Sequence, residues 1–135
     1  MTKLKGILKY IPHIKRTANL KHPTTAKSML FVVTVDKDHQ DDVGLMAHEL
    51  THVMQWWRVF LLSIAVGVLM FFTGYVDYTP ILVPVGFLGH NVMTRIRAYR
   101  QYAEVEAYRN HVKHGRDFEN AAYNLYKHND LRITL

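Results

Sequence analysis

Cysteine is missing from all 135 residues, which excludes disulfide staples, thiolate-ligated zinc and a thiol nucleophile. Any metal this chain holds must be held by histidine and carboxylate. Acidic residues are also missing from the first 35 positions, where seven lysines and arginines lie between Lys3 and Lys27. Within a formal net charge of +6, that basic end suits an anionic surface of lipid headgroups or nucleic acid. No nucleic-acid-reading motif accompanies it, so specific nucleic-acid recognition is not expected. Residues 1–30 lack a continuous apolar run, because Pro12, Lys15, Arg16 and Lys21 interrupt it, and no cleaved export signal is expected. Repeats and low-complexity tracts are absent too. A chain of this length builds one core, which every functional part must share.

What is present begins with Leu4, Ile7, Leu8, Ile11 and Ile14 at three- and four-residue steps between lysines. The spacing predicts a short amphipathic basic helix over Thr2 to Ile14, weakened in its last turn by Pro12. Residues 1–27 read as a basic N-terminal arm, either packed on the domain or lying on a membrane surface through residues 1–16. Thr17 to Lys27 reads as a loop. Ser28 to Val35, S-M-L-F-V-V-T-V, is rich in β-branched and aromatic residues and reads as a strand. The polar turn D-K-D-H-Q-D-D that follows lacks the glycine and the twelfth-position glutamate of a calcium loop. Asp41 or Asp42 is placed to cap a helix starting at Val43. A strand that leads into that helix lays an extended edge beside it, where a peptide backbone can add as a further strand.

Ala47 to Trp57 reads A-H-E-L-T-H-V-M-Q-W-W. On a helix His48 and His52 lie one turn apart on one face, so their imidazoles can converge on one metal ion. Glu49 sits beside them, placed to take a proton from water rather than to bind the metal. Two histidine ligands, a third ligand from elsewhere and an open fourth position describe a zinc hydrolase site.

Val59 to Val76 then runs 18 residues without a charge, and Tyr78 to Met93 continues apolar around Pro80 and Pro84. The first run has the length of a membrane-spanning helix. A single crossing would put everything downstream about 30 Å from the histidines, out of reach of the metal. Two readings follow for residues 59–93. Either they form an apolar hairpin that enters a bilayer and returns, with basic flanks on one side, or they are an insertion buried in a compact domain or a larger assembly.

Downstream, Thr94 to His114 is built of strong helix formers and stops at Gly115. Asp117 to Lys127 reads as a further amphipathic helix, with Leu131 to Leu135 as a tail that adds a strand or packs. The third ligand is sought among Asp77, His90, Glu104, Glu106, His111 and His114. A metzincin would need glycine at position 55 and histidine at position 58, where this chain has Gln55 and Arg58. In E-V-E-A-Y, Glu106 points about 160° away from Glu104 on a regular helix, so one glutamate at most can face the ion. Glu104 is preferred, since Tyr108 follows it one turn later and Ala107 leaves room for helices to approach. Glu106 is the alternative ligand, or else a solvent-facing partner of Arg109 or Asn110.

The run H-E-L-T-H-V-x-Q-W-W followed by Y-R-x-Y-A-E-V-E-A-Y-R resembles the small gluzincin-type metallopeptidases encoded in bacteriophage genomes, over about Ser28 to Leu135. The resemblance implies an α+β, mainly helical fold: a minimal zincin core with a short β-sheet, the motif helix and the glutamate helix. Residues 28–135 would form that domain, and the long apolar insertion departs from the family pattern. It also implies Zn²⁺ on His48, His52 and Glu104, a peptide or protein substrate, and Glu49 as the base that activates water. Tyr108 is expected behind the ligands, and Tyr108, Tyr99, Tyr102 and His90 are candidates to steady the oxyanion. The alternative is a structural virion or membrane-associated phage protein whose zinc staples two helices, with His90 or His111 completing a closed site and virion proteins as partners. The corresponding locations are the host cytoplasm, the cytoplasmic face of the membrane, or the phage particle.

Overall fold

The computed structural model describes residues 4, 6–21, 24–115, 117, 119, 123 and 127. The chain is α+β and mainly helical, with a three-stranded mixed sheet. β1 (Ile14–Ala18), β2 (Ala26–Met29) and β3 (Val32–Asp36) are ordered β1-β3-β2. β1 runs parallel to β3 and β2 antiparallel to it. Among the described residues three longer helices follow: α1 (Val43–Phe72), α2 (Thr79–Met93) and α3 (Arg97–Lys113).

The N-terminal third departs from its sequence reading. Among the described residues of the expected amphipathic helix, Gly6–Tyr10 form a short 3₁₀ turn, and Ile14, expected to end the helix, begins β1. Pro12 offers no amide hydrogen to a helix, and β-branched Ile14 and Thr17 suit the strand that β3 pairs. The basic arm therefore supplies one strand of the sheet and the first two residues of another. The expected strand Ser28 to Val35 is two strands, folded back at Leu30–Phe31 so that Met29 faces Val32. Leu30 takes φ 57°, a left-handed conformation that its side chain disfavours and that no composition signal announces.

Central strand β3 alternates as period-two geometry requires, burying Val33 and Val35. These pack with Leu8 and Ile11 against Leu45, Ala47, Leu50 and Val53 of α1. Asp42 caps α1, its carboxylate accepting from the Leu45 amide at 2.9 Å. The motif helix and the apolar run form one uninterrupted helix of 30 residues. Its first half is the core of the domain and its second half extends beyond it.

α2 returns antiparallel along that extension, so the two helices form a hairpin. Pro80 lies in its first turn, where its missing amide hydrogen costs nothing, and Pro84 is carried inside the helix. Small residues let the two helices close: a Cβ on Gly86 would lie 1.7 Å from Ser63 Oγ. At the base of the hairpin Trp56 stacks on Phe60, and its indole N–H donates to the Phe87 carbonyl at 2.9 Å. α3 crosses α1 through fully buried Ala103 and Ala107, whose small side chains bring the two backbones together. α3 ends as expected, with Gly115 at φ 117° just past it. The further helix read over Asp117 to Lys127 and the tail from Leu131 lie largely or wholly outside the described residues.

Candidate metal centre

Where α1 and α3 cross, three side chains converge. The Nε2 atoms of His48 and His52 are 3.3 Å apart. Glu104 reaches across from α3, with Oε2 3.7 Å from His48 Nε2 and Oε1 3.7 Å from His52 Nε2. One ligand atom from each lies within 4.8 Å of the others, and the cluster could hold a metal ion. His48 is buried, while His52 and Glu104 are half-buried. The open side is a cleft of about 190 Å³ lined by Ser28, Leu30, His90, Asn91 and Thr94 with His52 and Glu104.

His52 is oriented from behind. Gln55, only 2 % exposed, sends its amide nitrogen to the Ala103 carbonyl and to Glu106 Oε2, both at 3.0 Å. Two acceptors on that side fix the amide, so the oxygen of Gln55 faces His52 Nδ1 at 3.0 Å. Nδ1 therefore carries the proton, and the Nε2 lone pair is directed into the cluster. The motif contains this residue, three positions after His52, but the sequence reading assigned it no role.

Glu106 faces the other way on α3. It receives Arg58 Nη1 at 2.8 Å and 3.2 Å, together with the Gln55 amide, and takes no part in the cluster. Its partners are on α1 rather than the Arg109 or Asn110 of its own helix.

Glu49 is buried, with 7 % of its surface exposed. Burial raises its pKa above the ordinary carboxylate value. The positive side of His52 and a hydrogen bond from Ser28 oppose the rise, and Glu104 adds to it. Ser28 belongs to β2, an edge of the sheet, so the edge strand touches the acid beside the cluster.

The remaining candidates separate by place. Tyr108 packs edge-on against His48, with ring centres 4.5 Å apart, and stacks over His111. His111 itself lies 5.7 Å from His48 in the space left by Gly44. His90 lines the cleft, and its Nδ1 pairs with the Tyr99 hydroxyl at 2.9 Å. Burial, and then nearby His52, lower the pKa of His90 to about 4. Tyr99 is set behind His90, and burial raises its own pKa. Tyr102 is exposed and does not line the cleft. Asp77 is at the far tip of the hairpin, away from the cluster. His114 bonds the Asn110 carbonyl at 2.7 Å. Among the described residues the ligand group is His48, His52 and Glu104, without His90 or His111.

Comparison of the chain with protein-family models, with curated proteins and with solved structures found no significant match.

Proposed function

We propose that the chain is a small zinc-dependent peptidase that hydrolyses peptide bonds in the cleft beside His52 and Glu104. The observation that carries this reading is the convergence of His48, His52 and Glu104 next to a buried, hydrogen-bonded Glu49. Two nitrogens bound tetrahedrally to zinc stand about 3.3–3.4 Å apart, given Zn–N bonds of about 2.0–2.1 Å. The 3.3 Å between the two Nε2 atoms fits that spacing. Two imidazoles and one carboxylate are a borderline-soft donor set of the kind zinc favours. When bound, zinc supplies a Lewis acid that makes water acidic and polarises a carbonyl.

The residues of the chain supply the rest. Glu49 accepts the proton of the attacking water and returns it to the leaving amine, a shuttle helped by burial, which raises its pKa above the ordinary carboxylate value. Gln55 holds the tautomer of His52 through its bond to Nδ1. His90 is neutral near pH 7 and faces the cleft, placed to donate to an oxyanion, with Tyr99 fixing its ring.

The test is Glu49→Gln, assayed for zinc content and for hydrolysis of a peptide mixture. The variant is expected to hold one zinc and cleave nothing, while the parent chain cleaves. Equal proteolysis by both proteins overturns the role of Glu49. If both hold zinc, neither cleaves and chelation unfolds the domain, the site is instead a staple between α1 and α3.

A further inference from the structure

We infer that the hairpin formed by residues 61–88 is embedded in a lipid bilayer, with the rest of the domain resting on one membrane face. The inference is independent of the proposed peptidase chemistry and rests on how apolar surface is distributed around the two helices. On α1, exposed Leu62, Val66, Val68, Leu69, Phe71 and Phe72 sweep an arc of about 220° at 100° per residue. The remaining arc carries Ser63 and Gly67, which face α2. On α2, exposed Ile81, Val83, Val85 and Leu88 cover about 200°, and Leu82, Gly86 and Gly89 face α1.

A helix that docks on one protein partner shows an apolar stripe of about 100°. Here each helix is apolar everywhere that its neighbour does not cover, which is the pattern of a segment surrounded by solvent that is itself apolar. α1 is also the one helix among the described residues that is long and apolar enough to cross a membrane.

Charge fits the same occupant. Between Arg58 and Arg95 the only formally charged residue at neutral pH is Asp77, at the turn between the helices. Arg95, Arg97 and Arg100 follow α2 at the opposite end, the base, where both helices meet the domain, and Arg58, at the start of the apolar part of α1, is paired there with Glu106. A basic collar at the base matches anionic headgroups. Exposed Tyr75 and Tyr78 flank Asp77 and give the tip the composition of a membrane interface. From Arg58 to Thr73 the arm is about 22 Å long against a hydrocarbon core of about 30 Å. Local thinning brings the tip to the far headgroups at modest cost. His52 lies about 13 Å below Leu61 along the same helix, which holds the metal centre close to the membrane surface.

The absence of cysteine makes the test direct. Leu69→Cys and, as a control on the domain, Asp41→Cys are each labelled in the full chain with an environment-sensitive fluorophore. The labelled chains are mixed with vesicles of phosphatidylcholine and phosphatidylglycerol, some carrying a nitroxide on the acyl chain. Expected are flotation with the vesicles that survives high salt, several-fold quenching at position 69 and none at position 41. Flotation that high salt abolishes, with no quenching at 69, overturns the inference, because it describes surface binding alone. A position 69 that is shielded without lipid and unquenched in vesicles also overturns it, and assigns the apolar faces to a second copy or a protein partner. Zinc content is measured on the same samples. A chain that inserts without zinc sinks only the peptidase proposal, and one that holds zinc yet stays out of the bilayer sinks only this inference.

Discussion

Gln55 Oε1 accepts from His52 Nδ1 at 3.0 Å while the same amide donates to two acceptors on α3. One side chain thus fixes the tautomer of a ligand and ties the motif helix to the glutamate helix. Gln55→Leu keeps the volume and removes all three bonds. Metal affinity is expected to fall about 10–100-fold, the usual cost of losing such a support. Stability should fall by about 1–3 kcal/mol, because the Ala103 carbonyl loses its side-chain donor and the half-buried His52 Nδ1 its acceptor. Competition with a chromogenic chelator measures the first effect; an affinity within twofold of the parent would remove Gln55 from this role.

Glu104 and Glu106 are two residues apart and serve different partners. Glu104→Ala removes the one carboxylate in the cluster and is expected to reduce bound zinc to well below one equivalent. Glu106→Ala breaks the contact with Arg58, whose side chain is 52 % exposed, and removes one of the two acceptors of the buried Gln55 amide, so it should cost about 1–2 kcal/mol. It should leave zinc at one equivalent. Metal analysis of the two purified variants decides the matter, and zinc lost from Glu106→Ala but kept by Glu104→Ala would reverse the assignment.

Gly44 is in the first turn of α1, where alanine would ordinarily help the helix by about 1 kcal/mol. Here a Cβ would sit 2.6 Å from His111 Cδ2, inside the space the imidazole fills. Gly44→Ala is therefore expected to destabilise the chain by about 1–3 kcal/mol, as overpacking does. With His111→Ala already present the clash is gone, and the same change should become neutral or stabilising. Thermal melts of the two single variants and the double variant read this reversal of sign. Destabilisation of equal size in both backgrounds would place the strain elsewhere.

The parts of this fold that the sequence made legible are those set by local periodicity. An aspartate cap at Asp41 or Asp42, His48 and His52 on one face, Glu104 and Glu106 on opposite faces of α3, and Gly115 as stop all follow from 3.6 residues per turn and from capping chemistry, and the structure selects Asp42. Elements set by distant partners were hidden. β1 is a strand because β3 pairs with it, although its own residues I-K-R-T-A are mostly exposed and alternate weakly. The β2–β3 hairpin turns at Leu30–Phe31, two apolar residues that carry no turn signal. The motif stretch and the apolar run from Val59 are one helix, since no breaker separates them and α1 runs through to Phe72. Ser28 and Leu30 reach the cleft only because that hairpin folds back over α1, which local spacing cannot reveal.

His90 gives the metal-free chain a pH dependence of known sign. It lies at the base of the hairpin, beyond the lipid-facing residues, and burial followed by the proximity of His52 lowers its pKa from 6.5 to about 4. Between those values the unfolded chain binds a proton that the folded chain does not. Stability from this group is thus complete above about pH 6.5 and is lost as pH falls towards 4. His90→Gln cannot titrate and retains a polar group for the Tyr99 hydroxyl. Melting temperature followed from pH 7.5 to pH 4.5 in metal-free buffer is expected to fall more steeply for the parent than for this variant. Because every other histidine is common to both proteins, the difference between the slopes belongs to position 90. Parallel slopes would mean that His90 is protonated in the folded domain at no cost, and that it does not meet the cleft as a neutral donor near pH 7.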